Sequence, residues 1–150
     1  MKKFVILTLV FCILMSSVSA FAVAENIIID GTAVTIPEGM GKICEKDDRT
    51  FVPVRFLMEY LGCYVNYTEQ QQGATITNPA TGLSYYMIAE SNEIFELSAL
   101  SGRAIIMDTK IFINNDEGRM YVPIRHLAEA MGYTVGWDEA TGTVTLNSAQ

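Results

Sequence analysis

The chain of 150 residues is acidic, with 17 Asp and Glu against ten Lys and Arg and a formal net charge of −7. This balance disfavours nucleic acid as a partner, because proteins that bind nucleic acid neutralise phosphates with Lys and Arg.

Residues 1–24 have the three-part pattern of a secretory signal peptide. Two lysines precede an apolar run from Phe4 to Met15, and small residues follow this run. The small residues allow cleavage before Val23 or before Glu25, and we favour the second site. The apolar run is shorter than the about 20 residues that a membrane-spanning helix needs, and no second such run follows.

The mature domain is therefore predicted to be residues 25–150, secreted or associated with the cell surface, with no membrane span after signal cleavage. Loss of the two lysines leaves eight basic and 17 acidic residues, a formal charge of −9. A chain of this length can bury one ordinary core or two small fused ones.

The mature domain retains two cysteines, Cys44 and Cys63. In an oxidising compartment they could form a disulfide, which would close a loop of about 20 residues and contribute about 3 kcal/mol. Two free, half-buried thiols are the alternative. Both interpretations stay open, because separation in sequence does not determine distance in the fold.

An internal repeat is the most informative feature of the mature domain. Residues 49–77 match residues 119–147 at a constant offset of 70 without a gap, and ten of the 29 paired positions are identical. Upstream, residues 31–34 align with residues 102–105 when one residue is dropped. We therefore define unit one as about 27–77 and unit two as about 102–147.

Unit one is predicted to contain several strands and one short helix. Pro53 suits the first turn of a helix, and Gly62 stands where a C-terminal cap glycine is expected. Leu57, Met58 and Leu61 fall on one face between them. The β-prone stretches, which include a hairpin around Asp30-Gly31, are Ile27–Ile29, Ala33–Ile36, Arg49–Val52, Tyr64–Tyr67 and Ala74–Thr77.

Unit two repeats this order, with a helix from Pro123 to Met131 that is capped by Gly132. No low-complexity linker separates the units, so we expect them to share a sheet or to pack closely. The predicted fold is α+β, with two tandem units that each pack a short helix on a small antiparallel β-sheet. The remaining predicted strands are Leu83–Ala89, Glu93–Leu97, Ala104–Met107, Met120–Val122, Thr134–Trp137 and Thr143–Leu146.

Each predicted helix carries an arginine and a glutamate at i, i+4, and the arginines are Arg55 and Arg125. Exposed pairs of this kind contribute only tenths of a kcal/mol. Their recurrence in both units favours a structural role, such as contact with a carboxylate or backbone carbonyl at a sheet edge. The alternative is an anion or peptide-carboxylate site at each arginine.

Aromatic residues also recur, with Tyr121 before the helix of unit two and Trp137 after it. Stacked core rings are the favoured interpretation, and a ligand platform is the alternative. Trp137 lies at the edge of a turn, where contact with carbohydrate or peptide is possible. The candidate ligand-binding residues are Arg55, Arg125, Tyr121 and Trp137.

Catalysis finds little support in the sequence. His126 is the single histidine, and its counterpart Phe56 indicates that the position accepts an apolar side chain. A half-exposed place on the helix is therefore favoured over a base or ligand. No hydrolase triad, phosphate-binding glycine loop or zinc-binding cysteine set is present, so no enzyme activity, cofactor or metal is predicted. A hydrolase using a carboxylate pair is the least favoured alternative.

The stretches RTFVPVRFLMEYLGCYVNY and RMYVPIRHLAEAMGYTVGWDEATGTVTL resemble the copper amine oxidase N-terminal-domain-like module of secreted bacterial proteins. The resemblance covers residues 27–147. The second stretch is the closer match, because the first has Asn66-Tyr67-Thr68 in place of Gly136-Trp137-Asp138.

This resemblance implies a small sheet wrapped around a helix, as in the stalk domain of some copper amine oxidases. It implies no copper ligand, because the copper-binding histidines and the quinone-forming tyrosine of those enzymes lie in a separate domain. It also implies an accessory role in exported proteins of Gram-positive, often anaerobic, bacteria. We therefore expect an exported non-catalytic structural or interaction module of the cell envelope or exterior, whose partner is an envelope component or another secreted protein. A binding module for cell-wall glycan or peptide is the alternative.

Overall fold

The computed structural model describes residues 24–98 and 100–149, so residues 1–23 of the predicted signal peptide lie outside the described residues. Within these described residues, two short α-helices and a single 3-10 turn, Glu69–Gln71, interrupt a succession of strands. The helices are α1 (Val54–Tyr60) and α2 (Ile124–Ala130). The strands are β1 (Asn26–Ile29), β2 (Thr32–Val34), β3 (Cys44–Lys46), β4 (Arg49–Pro53), β5 (Tyr64–Thr68), β6 (Gly73–Thr77), β7 (Ser84–Ile88), β8 (Glu93–Leu97), β9 (Gly102–Ile106), β10 (Phe112–Asn114), β11 (Arg119–Pro123), β12 (Tyr133–Asp138) and β13 (Thr143–Ser148).

The strands form three sheets. The terminal sheet has the order β12-β13-β1-β2, the central sheet β10-β11-β4-β3, and the five-stranded sheet β5-β6-β7-β8-β9. The central sheet joins the two units, because β4 and β11 pair antiparallel with Val52 opposite Val122. Both helices pack on β4 and β11, and Leu57 of α1 and Leu127 of α2 are fully buried.

The predicted α+β fold of two tandem helix-on-sheet units is wrong. The described part of the protein is mostly β, with 48% of its residues in strands and 14% in helices. Strand β1 of unit one pairs in parallel with β13 of unit two, from Asn26 opposite Thr143 to Ile29 opposite Leu146. The five-stranded sheet likewise joins β5 and β6 of unit one, through β7 and β8, to β9 of unit two. Each outer sheet is therefore built from both units.

The physical reason for this difference lies in the burial needs of the first hairpin. Asp30 and Gly31 both have positive φ, 47° and 79°, which is the conformation of a two-residue type I′ turn. The hairpin directs Ile27 and Ile29 to one face, and both are buried. A two-stranded hairpin is marginally stable at best by itself, so it requires at least a third strand. Strand β13 is that strand and pairs with β1, although it lies more than a hundred residues away in the sequence.

Strands β3 and β10 were not predicted from the sequence. Each has three residues, and each lies at an outer edge of the central sheet, with Cys44 opposite Phe51 and Phe112 opposite Tyr121. Strand β3 reads Cys-Glu-Lys and shows no alternation of apolar and polar side chains, so periodicity cannot detect it.

The prolines and glycines of the two units mark the ends of the helices. Pro53 and Pro123 are the last residues of β4 and β11 and directly precede the helices, with φ of −61° and −60°. Gly62 and Gly132 follow the helices with φ of 79° and 86°. Their N–H groups donate to the carbonyls of Glu59 and Glu129, each at 3.0 Å, which is how a C-terminal cap satisfies free carbonyls.

Candidate functional site

A groove of about 410 Å³ lies where the two units meet, and we call it the Trp137 groove. Unit two contributes the start of α2 and strand β12, and unit one contributes β3, β4 and the turn between them. The residues that carry its chemistry are Glu45, Asp48, Arg49, Asp108, Arg125, His126, Trp137 and Glu139.

Backbone geometry at the turn between β3 and β4 shapes one side of this groove. Asp47 and Asp48 both have positive φ, 52° and 55°, so this turn closes its hairpin in the same way as Asp30-Gly31. Glu45 pairs with Thr50 across the hairpin. The turn therefore places Asp48 and Arg49 at the groove, opposite Trp137 of β12.

Trp137 presents its ring to solvent, since 41% of the residue is exposed. The neighbouring Asp138 does not serve the groove, because its carboxylate accepts hydrogen bonds within the following turn, from Ala140 N–H at 3.0 Å and from the Thr141 hydroxyl at 2.8 Å. Asp138 fixes the turn that follows β12. Trp137 is an exposed aromatic side chain on β12, a strand that pairs with β13 along its length.

A charged cluster forms the opposite side of the groove. Arg49 Nε and Nη2 donate to the same carboxylate oxygen of Asp108, at 3.1 and 2.5 Å. This hydrogen bond holds the pKa of Asp108 below its usual range. His126 Nε2 lies 3.9 Å from the other Asp108 oxygen. The His126 Nδ1 atom is buried and has no hydrogen-bond partner in the described part of the chain.

The two recurrent arginines occupy different places. Arg125 lines the Trp137 groove, where its Nη1 donates to the Val135 carbonyl at 3.3 Å and lies 3.5 Å from a Glu129 oxygen. Arg55 lies outside the groove and pairs with Glu59 at 3.3 Å. Arg125 therefore contacts a backbone carbonyl of a strand, whereas Arg55 contacts only the glutamate of its own helix.

Tyr121 is also outside the groove and belongs to the core. Its residue is 1% exposed, and its ring stacks on Phe112 at 5.2 Å between centroids. The hydroxyl accepts the Lys42 N–H at 3.2 Å and donates to the carboxylate of Glu117. Burial, with this hydrogen bond to Glu117, raises the pKa of Tyr121 to about 12. The structure therefore brings together only Arg125 and Trp137 of the four candidate residues.

A second, smaller cavity of about 100 Å³ occupies the equivalent place in unit one. The offset of 70 relates Arg55 to Arg125 and Tyr67 to Trp137, while Met120 here takes the place of Thr50 in the larger groove. Nine residue pairs line both cavities at this offset: Pro53/Pro123, Val54/Ile124, Arg55/Arg125, Val65/Val135, Tyr67/Trp137, Ala74/Val144, Gly118/Asp48, Arg119/Arg49 and Met120/Thr50. The Trp137 groove is the better candidate site because its volume is larger and more of its lining residues are polar.

Sequence reasoning did not select Asp48, Arg49 or Asp108 for the site. Arg49 was visible as an identical repeat position, paired with Arg119, and that signal could have drawn attention to it. Asp108 carries no comparable signal. Its place depends on the path of the chain after β9, which brings it to Arg49 across 59 residues.

Cys44 and Cys63 are both free thiols in the structure, so the disulfide considered from the sequence is not formed. Cys63 is buried at the end of α1, where its N–H donates to the Met58 carbonyl at 2.9 Å. Cys44 lies in β3 and is partly buried. Burial raises the pKa of both thiols. Both therefore stay largely protonated near neutral pH.

The groove combines an exposed aromatic ring with hydrogen-bonding side chains. Among residues 24–98 and 100–149, no group of three or more His, Cys, Asp or Glu side chains could hold a metal ion. The same described residues include no helix long and apolar enough to cross a membrane. An exposed aromatic face bordered by hydrogen-bonding groups can hold a sugar ring or an extended peptide.

Comparison with known proteins gives one match. No curated protein and no solved structure matches the chain. The profile of the copper amine oxidase N-terminal domain matches residues 28–146, which is most of the sequence. In that family this domain is non-catalytic. The chain therefore belongs to the copper amine oxidase N-terminal domain family.

Proposed function

We propose that this protein is an exported, non-catalytic interaction module of the bacterial cell envelope or exterior, and that it binds a cell-wall glycan or peptide through the Trp137 groove. The signal-peptide pattern of residues 1–24 supports export. The non-catalytic character of the family domain supports a binding role rather than turnover.

The observation that carries the binding proposal is the exposed Trp137 ring inside a groove large enough for a small ligand. Core aromatic residues of this protein are buried, as Tyr121 and Phe51 are, whereas Trp137 faces solvent on a strand. A large ring held on a rigid strand supplies contact area at low conformational cost. Aromatic anchors of this kind account for much of the affinity of many interfaces.

The charges around the groove indicate which class of ligand it binds. Four carboxylates, on Glu45, Asp48, Asp108 and Glu139, face two guanidinium groups, on Arg49 and Arg125. Arg49 is already neutralised by Asp108, and Arg125 is engaged with Val135 and Glu129. The groove therefore favours a neutral or cationic ligand over an anionic one.

Co-sedimentation of the mature protein with purified cell-wall sacculi tests this proposal. We expect pelleting that persists at moderate salt, because stacking on Trp137 is not screened by ions as charge contacts are. Trp137→Ala should weaken binding by at least about tenfold, which corresponds to about 1.4 kcal/mol.

Tyr64→Ala is the matched control, because Tyr64 is 71% exposed on β5 and does not line the groove. This variant should bind as the parent does, and circular dichroism should show that both variants are folded. Equal loss of binding in both variants would contradict a role for the groove. Failure of the parent protein to pellet at any salt concentration would favour another secreted protein as the partner.

A further inference from the structure

The exposed apolar side chains of this protein are concentrated on one hairpin, formed by β8 and β9. Seven large hydrophobic residues are exposed in the described part of the chain, and four of them lie on this hairpin or its turn. They are Phe95 at 37%, Leu97 at 48%, Leu100 at 98% and Ile106 at 60% exposure. Contiguous apolar surface of this kind marks a contact site more often than scattered exposed residues do.

Register places three of these side chains on the same face of the five-stranded sheet. Phe95 is opposite Ala104, and Leu97 is opposite Gly102. Ile106 follows Ala104 by two residues, so it points to the same face. The buried Ile94 points to the other face, towards the core. The outer face of the β8–β9 hairpin is therefore an apolar strip that ends at the free edge of β9.

The backbone of β9 presents unpaired groups at that edge. Met107 N–H donates to the Asn92 carbonyl and Ser98 N–H donates to the Ser101 carbonyl, each at 2.8 Å. Antiparallel strands alternate between hydrogen-bonded and non-hydrogen-bonded pairs, so Ser101, Arg103, Ile105 and Met107 bond towards β8. The N–H and C=O groups of Gly102, Ala104 and Ile106 point outwards instead. Strand β9 ends its sheet in the described structure, so these groups face solvent.

We propose that two copies of this chain associate by antiparallel pairing of their β9 strands, centred on Ala104. This register exchanges both hydrogen bonds between the two Ala104 residues and between each Gly102 and Ile106 of the second copy. Three closely spaced pairs make about six backbone hydrogen bonds. The two five-stranded sheets become one continuous sheet.

Side chains at this edge are complementary to a second copy in that register. Gly102 has no side chain, and Leu97 leans across it, with Cδ2 only 3.3 Å from the position that a Cβ atom on Gly102 would take. Ile106 of the second copy would lie beside Gly102 and contact Leu97. In the next row the two Ala104 residues separate the two Phe95 rings. The Ala104 row is therefore apolar from one sheet to the other. Each Gly102 row is apolar from Leu97 to Ile106 and ends at Glu93, which is opposite Ile106 on β8.

Charge does not oppose this contact, although the mature chain is acidic. Arg103 is the single charged residue of β9, and it makes two hydrogen bonds to the carboxylate of Glu96, at 2.9 and 3.0 Å. This pair leaves the edge neutral. Edge strands that avoid pairing with another chain are commonly short or carry charged side chains. Strand β2, one of the two edges of the terminal sheet, is short, with three residues, whereas β9 has five.

Sedimentation equilibrium of the mature protein, from low micromolar to submillimolar concentration, tests the proposal. We expect the mass to rise from one chain to two, with weak affinity because the interface is small. Ala104→Pro removes an outward N–H, and proline is tolerated at edge positions whose N–H faces solvent. Ile106→Lys places a charge at the edge. Each variant should raise the dissociation constant at least tenfold.

Ala33→Pro in β2 is the matched control. Ala33 aligns with Ala104 in the repeat, and its N–H also points outwards because Thr32 is opposite Ile29 at the two-residue turn. This variant should dimerise as the parent does. A parent protein that stays monomeric throughout would overturn the proposal, and so would a dimer that Ala33→Pro disrupts and Ile106→Lys does not. Circular dichroism identifies a variant that fails to fold, and in that case Ile106→Lys decides.

Discussion

Truncation of Ile27 to alanine should destabilise the sheet that contains Trp137, although the two residues belong to different repeat units. Ile27 is 1% exposed and lies opposite Val144 of β13. Strand β13 in turn pairs with β12, in which Trp137 is opposite Val144 on the other side. A cavity at Ile27 therefore removes packing from a strand that holds Trp137 in place.

The expected magnitude follows from the loss of buried carbon atoms. Replacement of a fully buried isoleucine by alanine costs about 3 kcal/mol, which combines lost transfer free energy with the cavity left behind. With a urea dependence of about 1.5 kcal/mol per molar, the midpoint of unfolding should fall by about 2 M.

Urea unfolding followed by tryptophan fluorescence measures this effect, because Trp137 is the only tryptophan in the chain. Thr32→Ala is the control, since Thr32 is exposed on the same hairpin and should change the free energy of unfolding by no more than about 0.5 kcal/mol. Far-UV circular dichroism should give the same midpoint as fluorescence, as a single cooperative transition requires.

The result that would refute this reasoning is a Trp137 transition that Ile27→Ala leaves in place while circular dichroism detects a separate, earlier transition. That result would mean that the two units unfold independently. The parallel pairing of β1 with β13 would then contribute nothing to the stability of unit two.

Three further predictions concern particular side chains and glycines. Tyr121→Phe removes the hydroxyl that donates to Glu117 and should cost about 1 to 2 kcal/mol in thermal or urea unfolding. Because the pKa of Tyr121 is raised from 10.0 to about 12, the parent should lose stability as pH rises from 10 to 12, and the variant should lack this part of the loss. Gly41→Ala should destabilise the fold more than Gly39→Ala does. Both glycines have positive φ, but only at Gly41 would a Cβ atom come within 2.7 Å of other side chains. Thermal melting curves of the two variants measure the difference. Cys63 is 4% exposed with a raised thiol pKa, so mass spectrometry should show it labelled by iodoacetamide far more slowly in the native protein than in urea.

Much of the candidate site could not be predicted from the sequence, and the reason is physical. Trp137 and Arg125 could be selected because they recur with the repeat and lie near helix and strand ends. Asp108 could not, because its role exists only through contact with Arg49 across the fold. Tyr121, in contrast, was selected from the sequence but does not line the groove. An aromatic residue in a recurring motif was a reasonable ligand candidate, but its ring stacks in the core against β10, a strand that was not predicted from the sequence.

Local features of the fold follow from the sequence because their causes are local. The Asp30-Gly31 turn, the helices that begin after Pro53 and Pro123, and the glycines that end them depend on residues within a few positions of one another. Alternation and helical spacing then identify the faces that must be buried. Only the tertiary structure decided which edges meet. The choice of β13 as the partner of β1, and of β11 as the partner of β4, depends on which distant apolar faces can be buried together, and no local pattern encodes that.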